Sequence, residues 1–256
     1  IQGINNNLYN AAGLTLEHYL GKKADSMFFP DYNGIEIKCT QRFSRYDVTL
    51  FSLSFDGPSL FESNYLLETY GIQDTIYKDY KKLTIGLKLN KKVSINNKYY
   101  FELKIDNEKI YIKIYNSEQV PIENRGYIYL DSIKKRFLIK LNKLALIYAS
   151  KKKINNDLYF RYYKIECFKY QGIDSFIKCL EQETIKVSLI LRFSRNKDTF
   201  GKNKNKNFVF TISKNELDLL FDKVYYEENY YDIFNQLTAQ WVEIEDDSYM
   251  NEYGLS

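Results

Sequence analysis

The stretch that decides the reading of this chain is Pro30-Asp31-Tyr32-Asn33-Gly34-Ile35-Glu36-Ile37-Lys38-Cys39-Thr40. Asn33-Gly34 is the strongest short-range signal for a two-residue hairpin turn. Beyond it, Ile35, Ile37 and Cys39 alternate with Glu36, Lys38 and Thr40. On a strand this puts the apolar residues on one face and Glu36 and Lys38 together on the other. The turn folds Asp31 back beside them. Two carboxylates and an ammonium thus meet at one end of a hairpin. This set fits metal-assisted phosphodiester hydrolysis. Asp31 and Glu36 supply the hard oxygen ligands that Mg²⁺ prefers. Lys38 can hold an attacking water and offset charge on the phosphorane. Glu17, on the preceding helix, offers a third acid. A Glu-x-Lys pair on a strand is by itself most often a solvated ion pair, so the assignment needs agreement from elsewhere in the chain.

The rarest residues exclude the most. The 256 residues include one histidine, His18, which removes His-cluster metal sites and most nucleophile–His–acid triads. We expect His18 to be structural. Cys39, Cys167 and Cys179 are scattered and form no Cys-x-x-Cys, so we expect reduced thiols and a cytoplasmic protein rather than a zinc knuckle or a disulfide framework. No phosphate-cradling glycine motif occurs, so no nucleotide cofactor is expected. No apolar run approaches the roughly 18 residues that span a bilayer, and no signal-peptide leader is seen.

Net charge is +4, from 37 Lys and Arg against 33 Asp and Glu. From Val224 to Ser256 there are eight acids and no base, which leaves +12 on residues 1–223. A basic body suits a polyanionic partner. A Lys/Asn/Ile/Tyr-rich composition also yields excess lysine without any ligand, so charge alone leaves the partner open.

The remaining pattern predicts a helix over Leu8–Leu20 closed by Gly21, and a strand over Asp47–Phe55. A helix from Pro58 to Tyr70 follows, and a β-meander over Leu83–Tyr129. Asp131–Leu141 reads as a basic amphipathic helix. Leu144–Lys151 and Leu158–Tyr170 read as a hairpin, Ile173–Gln182 as a helix, and Lys186–Phe193 and Phe208–Ile212 as strands. Ser213 then caps a further helix. No internal repeat is found. The fold class is α+β, mixed in order.

The stretch Gly13-Leu14-Thr15-Leu16-Glu17, then Pro30-Asp31, then Gly34-Ile35-Glu36-Ile37-Lys38 resembles the active-site region of the MvaI/BcnI restriction endonucleases. It also resembles the related MutH mismatch-repair nickases. Downstream, Phe137-Leu138-Ile139-Lys140-Leu141, Ala145-Leu146-Ile147-Tyr148-Ala149, Gly172-Ile173-Asp174-Ser175-Phe176 and Phe210-Thr211-Ile212 follow in the order of the former family. The resemblance covers most of residues 3–224.

It implies a restriction-endonuclease-like PD-(D/E)xK core with a second DNA-recognition lobe. The expected division is a catalytic lobe over 1–130, including a meander at 83–129, a recognition lobe over 131–224 and an acidic tail over 225–256. The implied activity is Mg²⁺-dependent, sequence-specific cleavage of double-stranded DNA by a monomer with one active site. The implied products carry 5′-phosphate and 3′-hydroxyl ends, and a cognate methyltransferase protects the host. By resemblance Asp31 and Glu36 bind the metal, helped by the backbone carbonyl of Ile37. Lys38 activates water, and Glu17 fills the helix acid position. Alternatives are a partner-dependent nickase and a non-catalytic DNA-binding module.

Candidate DNA contacts are Arg42 and Arg45 after the catalytic strand, and Arg192, Arg195, Lys197, Lys202, Lys204 and Lys206 in a Lys/Asn segment. One departure is clear. Where the family carries His-Gly-Thr-Ala-Phe-Arg-Ile, this chain has Lys206-Asn207-Phe208-Val209-Phe210-Thr211-Ile212. The target sequence of a relative therefore does not transfer.

Overall fold

A computed structural model describes residues 11–21, 29–41, 44–154, 157–193, 207–224 and Ile233. In chain order the elements are α1 (Ala11–Tyr19), β1 (Glu36–Gln41), β2 (Val48–Leu53), α2 (Glu62–Tyr70), β3 (Ile72–Gln73), β4 (Lys81–Leu87), β5 (Lys92–Ile95), β6 (Tyr99–Ile105) and β7 (Lys109–Tyr115). Then come β8 (Pro121–Tyr129), α3 (Leu130–Lys140), β9 (Lys143–Ile154), β10 (Asp157–Tyr170), α4 (Ile173–Glu181), β11 (Ile185–Arg192), β12 (Asn207–Ile212), a 3-10 helix (Lys214–Leu219) and β13 (Phe221–Val224). The α+β class expected from sequence is the one observed.

The chain forms two compact units, each assembled from separate segments. Unit 1 comprises residues 1–44, 142–169 and 223–256, and unit 2 comprises 45–141 and 170–222. This differs from the expected linear division at residue 130. The reason lies in β9, whose Leu144, Ala145, Leu146 and Ile147 are all buried. A strand apolar on both faces belongs in the middle of a sheet with its faces covered. It pairs in parallel with β1, far back in the chain, and antiparallel with β10. The hairpin expected in a second lobe thus completes the sheet that begins with the Pro-Asp segment.

In unit 1 the sheet order is β1-β9-β10-β13. Helix α1 buries Ala11, Ala12, Thr15 and Leu16, a face set by three- and four-residue spacing. It joins a core with Ile35, Ile37, Ala145, Ile147, Ala149, Phe160 and Tyr162. The Tyr162 hydroxyl donates to the Ala12 carbonyl at 2.8 Å, tying β10 to the helix. Gly21 closes the helical segment at φ +76°, its amide bonded to the His18 carbonyl.

Unit 2 holds a five-stranded sheet, β2-β12-β11-β4-β3, and a four-stranded antiparallel sheet, β5-β6-β7-β8. The meander expected over 83–129 holds from β5 to β8. Its first strand, β4, instead pairs with β11, matching Leu83 and Leu87 to Leu191 and Val187. Phe51 of β2, Phe210 of β12, Phe137 of α3 and Phe176 of α4 form a buried aromatic cluster with ring centroids 4.9 to 5.6 Å apart. Their burial is the main apolar contribution where helices cover this sheet.

Two helix starts differ from the sequence reading. Helix α2 begins at Glu62 rather than Pro58, because Ser59 organises a turn first, its Oγ accepting the Phe61 amide at 3.1 Å. Ser213 does act as a cap, accepting the Asn215 amide, but the turn after it is 3-10 rather than α.

Glu62 is buried and held by Arg125, with Nε to Oε1 at 3.0 Å and Nη2 to Oε2 at 2.9 Å, and by the Gly126 amide at 3.0 Å. Burial raises its pKa, and Arg125 opposes that shift. Gly126 is the extra residue of a β-bulge, since Tyr111 pairs with Tyr127 and Ile112 with Arg125. Its φ is +56°, and an added Cβ would lie 2.7 Å from Phe55 Cε1. Gly126→Ala is therefore expected to destabilise the protein by about 1–2 kcal/mol, measured by urea unfolding. A variant as stable as the parent would show that the bulge relaxes without cost.

Candidate active site

The geometry begins at the turn. Tyr32 and Ile35 exchange both backbone hydrogen bonds, at 3.0 and 2.7 Å. Asn33 and Gly34 between them have φ of 44° and 82°. Two positive φ values in a two-residue loop define a type I′ turn, which Asn-Gly adopts with least strain. The turn lays the incoming chain along the edge of β1 opposite β9. Asp31 Oδ2 then accepts the Ile37 amide at 3.0 Å. The N–H and C=O of one strand residue point to the same side, so the Ile37 carbonyl shares this edge with the Asp31 carboxylate.

Glu36 and Lys38 project from one face of β1. Lys38 Nζ donates to Glu36 Oε1 at 2.6 Å. The Glu36 side chain is 1% exposed and that of Lys38 25%. A carboxylate this deep is costly to ionise without a cation beside it, and Lys38 supplies one. Asp31, Glu36, the Ile37 carbonyl and Lys38 are thus gathered at one strand edge, as the sequence predicted. Two carboxylates and a carbonyl form a hard, all-oxygen donor set of the kind that suits Mg²⁺.

Glu17 is placed differently. It sits on α1, and its charge acts on Cys39. Cys39 lies on the face of β1 opposite Glu36 and Lys38, with Ile35 and Ile37. Burial first, and then Glu17, push the Cys39 thiol up to about 12. Among the described residues no group of three or more His, Cys, Asp or Glu is arranged to hold a metal ion. The carboxylates that hydrogen bonds tie to β1 are those of Asp31 and Glu36. All three cysteines are free thiols. His18 is exposed at the end of α1.

Of the candidate DNA contacts, Arg45 and Arg192 belong to unit 2. Arg45 is exposed and Arg192, ending β11, is half-buried. Arg42, Arg195, Lys197, Lys202, Lys204 and Lys206 lie outside the described residues, as does the acidic tail apart from Val224 and Ile233. A shallow pocket in unit 2 is lined by Ser54, Phe55, Ser59, Leu60, Glu62, Ser63 and Asn207. Glu62 is committed to Arg125, and Ser63 donates to Asn207 at 2.6 Å, so the pocket offers no evident nucleophile or base.

The sequence reading passed over Glu166. Register aligns Lys38 with Leu146, and Leu146 with Glu166, so Glu166 shares the face of Lys38 two strands away. Its Oε1 accepts Lys164 at 3.0 Å and Lys223 at 2.8 Å, and its Oε2 accepts the Tyr148 hydroxyl at 2.5 Å. Burial alone raises its pKa, but hydrogen bonds from Lys223, Tyr148 and Lys164 outweigh this and hold the carboxyl at about 2. No sequence pattern announces the cluster, because a bulge at Tyr163 shifts the alternation of β10 within it.

The chain matches the MvaI/BcnI restriction endonuclease family over residues 2–221. No curated protein matches it. Among solved structures it is similar to the restriction endonuclease MvaI in complex with cognate DNA substrate, with TM-score 0.78 and 24% identity over 88% of this chain and 90% of that one. It is also similar to MvaI in the absence of DNA, with TM-score 0.56 and 23% identity over 81% and 82% of the two chains. These structural likenesses establish the fold.

A carboxylate depressed in the folded state stabilises the protein above its unfolded pKa, near 4.5 for Glu, and loses that contribution as pH falls toward about 2. Glu166→Gln is expected to flatten the loss of stability between those limits, followed by thermal melting against pH. An unchanged acid limb would show that Glu166 does not carry it.

Proposed function

As the chain belongs to the MvaI/BcnI restriction endonuclease family and is thus a sequence-specific type II restriction endonuclease, we propose that it hydrolyses double-stranded DNA at the edge of β1, with Asp31, Glu36 and Lys38 as its catalytic residues. The observation that carries this reading is the hydrogen bond from the Ile37 amide to Asp31 Oδ2. It holds the Asp31 carboxylate beside the β1 residue that follows Glu36, which supports a shared ion in this reading.

Asp31, Glu36 and the Ile37 carbonyl hold Mg²⁺ in this proposal. When bound, the ion polarises the scissile phosphate and lowers the pKa of coordinated water. The chain's own groups do the rest. Asp31 is oriented through the Ile37 amide, which accounts for its Oδ2. Glu36 is fixed by burial and by Lys38. The Lys38 ammonium lies at the exposed end of the pair, positioned to hold the attacking water by hydrogen bonding. As negative charge grows on the phosphoryl oxygens, the same ammonium offsets it. No histidine is needed, in keeping with the lone, exposed His18.

Glu17, on α1, fills the helix acid position in the proposal. Arg42, Arg45, Arg192, Arg195, Lys197, Lys202, Lys204 and Lys206 remain proposed contacts to phosphates and base edges. A monomer with one active site, 5′-phosphate and 3′-hydroxyl products, a cognate methyltransferase partner and a cytoplasmic location complete the reading. Among the described residues no helix is long and apolar enough to cross a membrane.

Digestion of methylated and unmethylated plasmid DNA tests the proposal. Discrete fragments are expected with Mg²⁺, and none with EDTA. Lys38→Ala is expected to lower cleavage by at least about 10³-fold, since it removes both a proton-handling group and an electrostatic stabiliser, while leaving DNA binding within a few-fold. Cleavage at the parental rate by Lys38→Ala would sink the assignment. Single-strand nicks in place of fragments would favour a nickase.

A further inference from the structure

The strand β7, Lys109-Ile110-Tyr111-Ile112-Lys113-Ile114-Tyr115, alternates without a break. Ile110, Ile112 and Ile114 are fully buried, so Lys109, Tyr111, Lys113 and Tyr115 stand on the other face of the β5-β6-β7-β8 sheet. Register puts Lys92 of β5 and Tyr100, Glu102 and Lys104 of β6 on that same face. One row at its centre reads Lys92, Glu102, Lys113 across three strands. Lys104 follows two residues along β6, its ammonium 2.8 Å from Glu102 Oε1. Three lysines thus surround one carboxylate. Glu102 is buried beneath them. Burial raises its pKa, but hydrogen bonds from Lys104 and Tyr115 and the charges of Lys104 and Lys113 outweigh this and keep it ionised. Its Oε1 is matched by Lys104 and its Oε2 by the Tyr115 hydroxyl. The other two lysines rest on an aromatic ring instead. Lys92 Nζ lies 4.1 Å, and Lys113 Nζ 5.6 Å, from the centre of Tyr115. Lys92 also donates to Gln119, to its carbonyl at 3.4 Å and its Oε1 at 3.3 Å. Among the described residues neither Lys92 nor Lys113 has a carboxylate within ion-pair distance. Other acids nearby in sequence, Asp106, Glu108 and Glu118, are confined to the turns at the two ends of β7.

We infer that the middle of this face docks the phosphate backbone of duplex DNA, with Lys92 and Lys113 as its phosphate contacts. The inference concerns unit 2 alone. It rests on the chain being a DNA endonuclease, not on the placement of the active site at β1. Charge complementarity identifies the occupant, since Glu102 is answered by Lys104 and the charges of Lys92 and Lys113 are left over. Both ammonium groups are already settled over one buried ring, so little side-chain freedom is lost when an anion arrives. Two strand spacings separate Lys92 from Lys113, about 10 Å, which spans about three base pairs of duplex. Tyr115 is buried and overlaid by cations, and Lys109 Nζ lies 5.0 Å from the centre of Tyr127. The centre of the face therefore offers cations to a backbone rather than open rings to unpaired bases. Such contacts position a duplex without reading its sequence.

Three double variants of the full chain test this. Lys92→Gln/Lys113→Gln removes the proposed contacts, and Lys92→Arg/Lys113→Arg keeps their charge. Lys134→Gln/Lys135→Gln removes the same charge from exposed positions on α3. Binding of a fluorescent duplex is measured in Ca²⁺, without turnover, from about 50 to 200 mM KCl. The first variant is expected to lower the slope of log K against log salt by about 2, and affinity by about tenfold, since each phosphate contact contributes roughly 0.9 to the slope. The arginine variant is expected to bind as the parent does, and the α3 variant to change the slope by less than half as much as the first. The fragment pattern of the first variant stays parental, because no base contact is lost. Parental binding by the first variant, or equal effects from both glutamine variants, would overturn the inference. So would an arginine variant as weak as the glutamine one, which would trace the loss to packing. A loss seen with a single-stranded oligonucleotide but not with the duplex would overturn it in favour of a single-strand platform. Because binding is read without cleavage, an active Lys38→Ala would sink the active-site assignment and leave this result standing.

Discussion

The hydrogen bond between the Ile37 amide and Asp31 Oδ2 is the contact on which the rest of the site depends. Among the described residues β1 has a strand partner only on its β9 side, so the amides facing away from β9 need other acceptors. Near the turn, Tyr32 satisfies Ile35. One step on, the hairpin's partner chain gives way to a side chain, and Asp31 takes the next amide. A residue offered as a metal ligand is thus also the end-stop of a strand edge. In the proposed site, chemistry and backbone satisfaction are asked of one carboxylate, so its position answers two needs at once.

The faces of β1 divide the remaining work. Ile35 and Ile37 bury against α1, while Glu36 and Lys38 stand on the other side. Burial of Glu36 holds its carboxylate in one place, and the neighbouring ammonium makes that burial tolerable. The same division continues across β9 and β10, where one face is core and the other carries Tyr148, Lys164 and Glu166. A single parity, set at the Asn33-Gly34 turn, therefore governs which side chains of three strands share the face of Glu36 and Lys38.

Much of this was legible in the chain. Asn33-Gly34 announced a two-residue hairpin turn, and alternation through Thr40 assigned the faces of β1. The limits of β6 and β7, at Tyr99, Ile105, Lys109 and Tyr115, follow the alternating pattern. What escaped was non-local. Nothing near Leu144 says that its strand pairs with Glu36 rather than with a following strand alone, so the units could not be drawn as contiguous blocks. The departure of β4 from the meander and the displaced parity at Tyr163 likewise depend on partners that local patterns do not specify.

The discontinuity of unit 1 bears on how the protein comes into being. β1 and β9 are separated by most of the residues of unit 2. During synthesis the segment with Asp31, Glu36 and Lys38 emerges long before the strand against which it must dock. Until β9 arrives, Glu36 stays solvated and the hairpin at Asn33-Gly34 is a bare two-stranded ribbon, which is only marginally stable. Closing so long a loop is also slow compared with local pairing. The face of Glu36 and Lys38 is therefore among the last parts of the chain to be assembled.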